Sequence, residues 1–144
     1  MIFAVTHSKL FVLDHDQALD FYANKLGFKV MSDIKQGPVR WLTVSAPGQP
    51  GHQIYLEVPA PPAMSEQTAE QVRDLLTKGA LGFIALQTDD SRGLYEQWKS
   101  RGVEFTQEPI EHFYGTDFGA RDPFGNQIRV LQPKAAPVKS SRGS

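Results

Sequence analysis

The chain has 144 residues, 40% of them hydrophobic, which is enough for one ordinary folding unit with a real core and too little for two independent ones. Lys and Arg total 15 against 16 for Asp and Glu, so the net charge of -1 supplies no general positive field for nucleic acid or an acidic membrane surface, and a small organic molecule is the expected partner. Having no cysteine excludes disulfides, thiolate nucleophiles and thiolate metal sites, and leaves histidine and carboxylates as the strong metal ligands.

Taken in chain order, Ala4 to Leu13 suit a strand. Asp14, with Gln17 three residues later, has the spacing of a helix N-cap and capping box. Ala18, Leu19, Phe21, Tyr22 and Leu26 recur at helical spacing, and Gly27 suits the left-handed residue that stops a helix. Phe28 to Ile34, Arg40 to Ser45 and Gln53 to Val58 are strand candidates separated by Gly-Pro and Pro-Gly turns. After the proline-rich break at Pro59 to Pro62, Ser65 caps an expected connecting helix whose apolar side is Ala69, Val72, Leu75 and Leu76, ending near Gly79.

The pattern then returns. Leu81 to Thr88 reads as strand, Asp90 to Arg101 as helix with Leu94, Tyr95 and Trp98 inward, Gly102 as its stop, and Val103 to Gln107, Asp117 to Arg121 and Gln127 to Gln132 as strands. Gly27 and Gly102 lie 75 apart while His7 and Phe83 lie 76 apart, so the halves superpose with one residue deleted in the second half's helix. Met1 to Val5 lack the basic start, long apolar core and cleavage site of an export signal, and no apolar run approaches the roughly 20 residues needed to span a bilayer. A cytoplasmic protein is the expectation. Residues 134–144 are small, basic and aperiodic, as in a disordered tail or vector-derived remnant.

Three segments carry a family resemblance: Val12-x-Asp14 through Phe21-Tyr22-x-x-x-Leu26-Gly27-Phe28, then Gly82-x-Ile84-Ala85-Leu86, and Asp122-Pro123-x-Gly125-Asn126. In that order they resemble the vicinal oxygen chelate superfamily, which includes lactoylglutathione lyases, bleomycin-resistance proteins and extradiol dioxygenases. The resemblance implies an α+β fold of two βαβββ modules whose curved mixed sheets surround a groove, with helices outside, and commonly a homodimer. The first module would take about residues 1–58, a linker helix about 59–79 and the second module about 80–133.

Members of that superfamily hold a divalent metal with His, Glu or Gln side chains, one from each of several strands. Carried over position by position, His7 matches the opening ligand. Tyr55 stands where many members have Glu, with Glu57 two residues on and so on the same face. Phe83 replaces the second half's usual His, and Arg129 the final Glu. A phenyl ring cannot ligate and a guanidinium repels a cation, so no catalytic metal and no cofactor are expected.

The leading expectation is therefore a binder of a small organic ligand, with His7, Lys9, Glu57 and Arg129 orienting polar groups and Trp41, Tyr55 and Phe83 supplying apolar contact. Phe11 would join that aromatic lining. The blander alternatives are core packing for Trp41 and an ion pair between Arg129 and Glu57. Glu111 to Asp117 is expected as a loop, whose His112 or Tyr114 can close over a ligand and donate a hydrogen bond or a proton. His15 and His52 are read as exposed and idle. The rival reading is a metal-dependent lyase, isomerase or dioxygenase that uses His7 and Glu57, with His112 as a further ligand. No nucleotide-binding loop or hydrolase nucleophile turn is present.

Overall fold

Asp14 opens the first helix as its spacing requires: its backbone is extended and Oδ1 accepts from Gln17 N at 2.9 Å, satisfying one of the orphan donors of the first turn. The computed structural model describes residues 1–135, and the chain forms two compact units, Met1–Gly82 with Asp122–Asn126, and Phe83–Arg121 with the chain from Gln127 on. Each contains a four-stranded mixed sheet.

In the first unit, β1 (His7–Phe11) pairs parallel with β4 (Gln53–Glu57), which runs antiparallel to β3 (Val39–Ser45), and β3 antiparallel to β2 (Lys29–Gln36). The second unit repeats the order with β5 (Phe83–Gln87), β8 (Gln127–Pro133), β7 (Gly115–Arg121) and β6 (Glu104–His112). The βαβββ reading of each half is thus what the structure shows. Strand ends differ from the sequence expectation mainly at β1, which omits 4–6 and 12–13, at β5, which begins two residues after Leu81, and at β6, which runs five residues past Gln107.

The helix α1 is α-helical over His15–Leu19 and widens to a π-helix over Asp20–Lys25, where Leu26 N donates to Phe21 O five residues back at 2.9 Å. A π-helical turn absorbs one extra residue in a helix, and the extra residue is the one that the comparison of the two halves placed here. Phe28 N closes on Tyr22 O six residues back, whereas after α3 (Ser91–Ser100) Val103 N closes on Trp98 O five residues back. Tyr22 and Trp98 are therefore equivalent residues, and both are buried.

One side of each sheet is apolar and buried. Leu10, Leu42, Val44, Ile54 and Leu56 pack with Ala18, Phe21 and Tyr22 in the first unit, and Phe118, Ala120, Ile128 and Val130 with Trp98 in the second. Tyr95, Phe105 and Trp98 make tilted or edge-on ring contacts with one another or with Phe118. The connecting helix α2 (Glu66–Thr77) is capped by Ser65 as expected and buries Ala69 and Leu76, but Leu75 is exposed, because it lies one residue, about 100° of helix, from Leu76.

The Asp122–Asn126 turn belongs to the first unit by its bonds. Asp122 Oδ1 accepts from the backbone N–H groups of Phe124, Gly125 and Asn126, while Oδ2 accepts from Asn126 Nδ2 and from the Tyr22 hydroxyl at 2.7 Å. Asn126 Nδ2 also donates to Phe11 O at 2.9 Å, so the turn is fastened to the end of β1. Lys134 N donates to Tyr114 O at 3.0 Å, and the rest of the expected tail, residues 136–144, lies outside those described.

Candidate ligand-binding site

Opposite the buried side, each sheet has an open face whose members follow from strand alternation and register. In the first sheet, Lys9 and Thr43 flank Tyr55, His7 is level with Gln53, and Phe11 with Glu57. The rings of Trp41 and Tyr55 stack there with centroids 4.4 Å apart and planes 25° from parallel, and His7 lies 6.1 Å from Trp41. Trp41 is 38% exposed, as are its neighbours Ile34 and Val39 to 57% and 43%, so the stack is the head of an apolar surface and not a core residue. This decides against the packing alternative for Trp41.

Charge on this face is internally paired. Lys9 Nζ is 3.3 Å from Glu57 Oε1 and 4.6 Å from the centre of the Phe11 ring. Burial, and then the nearby Glu57 carboxylate, raises the Tyr55 phenol above its usual value, so it is protonated at neutral pH. Tyr55 and Glu57 also form one wall of an open cavity of about 420 Å³, lined further by Val39, Arg40, Pro61 and Pro62. Arg40 braces that wall, donating through Nε and Nη2 to both Asp33 oxygens and through Nη1 to Asp16 at the start of α1. Those bonds, Asp33 first, raise the Arg40 guanidinium above its usual range and lower Asp33.

His15, also on the cavity wall, is half-buried where an exposed, idle group was expected. Burial, then the Arg40 charge, lowers its pKa against a backbone hydrogen bond with Leu56. His52 is half-buried as well and is not idle, since its Nε2 stands 2.9 Å from Ser8 Oγ. A helix start and a turn place a residue on the chain but say nothing of what packs over it, which is why both were misread.

On the open face of the second sheet, Phe83 is 62% exposed and level with Gln127, and Arg129 stands between Ala85 and Gly119. Arg129 pairs with Asp117, two residues before Gly119 on the adjacent strand, where the blander alternative from sequence had paired it with Glu57; Nη2 also donates to Gln107 Oε1 at 3.0 Å. Glu57 takes Lys9 instead. Asp117 Oδ1 accepts from His112 Nε2 at 3.1 Å, and the His112 ring stacks on Tyr114 with centroids 4.8 Å apart. Burial opposes ionisation of Asp117, but the hydrogen bonds of Arg129, Gln107 and His112 outweigh it and lower the carboxyl below its usual range.

The expected loop from Glu111 to Asp117 is in fact hairpin: β6 continues to His112, β7 starts at Gly115, and only Phe113 and Tyr114 turn the corner. His112 is therefore the last residue of the ladder, paired with Gly115, and Tyr114 in the turn stacks on its ring. Gln107 and Gly119 stand beside Arg129 and were not singled out from the sequence, because strand register decides which residues neighbour it.

The Glyoxalase/Bleomycin resistance protein/Dioxygenase superfamily pattern matches residues 4–130. This chain belongs to that superfamily. An uncharacterized protein of Shewanella frigidimarina (strain NCIMB 400) is 34% identical over 131 residues, covering 90% of this chain and 93% of its own. Among solved structures, UcmS2 is 36% identical with a TM-score of 0.85, covering 91% of this chain and 98% of its own. TnmS3, an antibiotic binding protein from Streptomyces sp. CB03234, is 28% identical with a TM-score of 0.73, covering 92% and 98%.

Superfamily membership makes a divalent metal the first group to test, and the residues present do not fit one. Phe83 has no lone pair, Arg129 has donors only, Tyr55 carries its proton under Trp41, and Glu57 is engaged by Lys9. His7 is left with Thr6 Oγ1 at 3.1 Å as its neighbour. Among the described residues no three His, Asp or Glu side chains are grouped to hold an ion, whereas a stable site takes three or four such ligands.

Proposed function

We propose that this superfamily member binds a small organic molecule on the open faces of its sheets, through aromatic contact and paired polar groups and not through a metal. The observation that carries the reading is the partly exposed Trp41–Tyr55 stack beside an open cavity that shares Tyr55 and Glu57. Folded proteins seldom leave an aromatic pair and adjoining Ile and Val side chains in water without a use for them. Likeness to an antibiotic binding protein supports the same direction.

In this reading Trp41 and Tyr55 supply apolar contact on the first sheet and Phe83 on the second, while His7, Lys9 and Glu57 on the first and Arg129, His112 and Tyr114 on the second orient polar groups of a ligand. The protein is taken to be cytoplasmic and homodimeric; exposed Ile2 and Phe3 support association of copies, which sedimentation would read directly. Among the described residues no helix is long and apolar enough to cross a membrane.

The test is a thermal-shift screen of aromatic compounds against the wild type and Trp41→Ala. Compounds that raise the wild-type Tm and lose that effect in the variant are the expected outcome. A broad library that stabilises neither protein would remove the proposal.

A further inference from the structure

Gly119 faces Arg129 across the β7–β8 ladder, and the room its side chain would need is already taken. A Cβ on Gly119 would stand 2.5 Å from Arg129 Nη1 and 2.5 Å from Thr106 Oγ1, closer than real carbon contacts come. Gly119 is not among the glycines with positive φ, so the backbone does not require glycine there; the requirement is one of space. Glycine inside a strand weakens it and marks a close approach. Here what approaches is the guanidinium of Arg129, which comes down over β7 and meets Asp117 and Gln107.

We propose that Gly119 is a specificity-determining residue: by letting Arg129 lie down on Asp117 and Gln107 it withdraws that charge from ligands on the open face of the second sheet, where Phe83 is exposed, and that face consequently selects uncharged aromatic molecules over aromatic anions. The inference rests on the ligand-binding reading above and names the ligand class. Arg121, two residues further along β7, has its own carboxylate in Glu104 at 3.7 Å and does not supply the missing charge. A side chain at 119 lifts Arg129 away from Asp117 and offers its N–H groups to a sulfonate or carboxylate.

Calorimetric titration of the wild type, Gly119→Ala and Gly119→Ala/Arg129→Leu with 2-naphthol and 2-naphthalenesulfonate tests this. The wild type is expected to prefer the neutral probe by about tenfold, a difference of about 1.4 kcal/mol. Gly119→Ala should shrink that preference at least about fivefold by tightening the sulfonate alone, and the double variant, having no guanidinium to free, should restore it. An unchanged preference in folded Gly119→Ala, or a gain that survives loss of Arg129, overturns the proposal. If neither probe binds the wild type, the binding reading fails for this class, and nitrogen-15 NMR of the Arg129 side chain still decides the positional claim. Hindered guanidinium rotation in the wild type and averaging in Gly119→Ala supports it; identical spectra refute it.

Discussion

The Trp41 ring lies 4.4 Å from that of Tyr55, close to parallel, on the side of the first sheet away from the buried Leu42, Val44 and Leu56. Because Trp41 is partly in water, removing it forfeits little packing that holds the fold. Trp41→Ala is predicted to weaken binding of an aromatic ligand by about tenfold or more while costing under about 1 kcal/mol of stability. Calorimetric titration and chemical denaturation on the same samples separate the two effects.

The donor set predicts the metal behaviour. Protein purified without chelator should hold nickel, zinc, manganese and iron far below one equivalent, and His7→Ala should leave that content unchanged. Elemental analysis reads it, and near-stoichiometric metal lost in His7→Ala would reinstate the metal-dependent enzyme reading.

Much of this arrangement was legible in the sequence because it depends on local rules. Asp14, Ser65 and Asp90 accept from backbone N–H groups three residues on, as cap residues do, and the 75-versus-76 spacing marks the one-residue difference between the two helices that the fold accommodates as a π-helical turn. Alternation alone put Lys9, Tyr55 and Glu57 on one face. What was not legible depends on register between strands distant in sequence. The choice of Asp117 over Glu57 for Arg129, the pairing of Ser8 with His52, and the continuation of β6 through the presumed loop to His112 are set by which strands lie side by side.

Tyr22 donates a buried hydrogen bond to Asp122, and burial, with the Asp122 charge next, pushes its phenol well above its ordinary value. A raised pKa contributes stability that is complete below the unfolded value near 10 and is lost as pH climbs above it. Alkaline unfolding should therefore be steeper in the wild type than in Tyr22→Phe above about pH 10. At neutral pH the variant should be less stable by about 1.5–3 kcal/mol, as for loss of a hydrogen bond to a charged group. Urea unfolding between pH 7 and 11 checks both; equal stability at pH 7 would contradict the assignment.

For His15 the sign is reversed. Its pKa is lowered in the fold, mainly by burial and then by the Arg40 charge, so its contribution is present above the unfolded value near 6.5 and is lost as pH falls through the folded value. Stability of the wild type should decline on acidification below about pH 6.5, and His15→Gln should flatten that part of the profile. A profile that the substitution leaves unchanged would show that His15 carries no such linkage.

The most direct test of the central claim is a fluorescence titration of the wild type and Trp41→Phe with a neutral planar aromatic ligand found in the screen, with and without EDTA. The account predicts saturable quenching that is the same with chelator present and is largely lost in Trp41→Phe, where the remaining tryptophan is the buried Trp98. Binding that disappears with EDTA, or that is undiminished without Trp41, would contradict it.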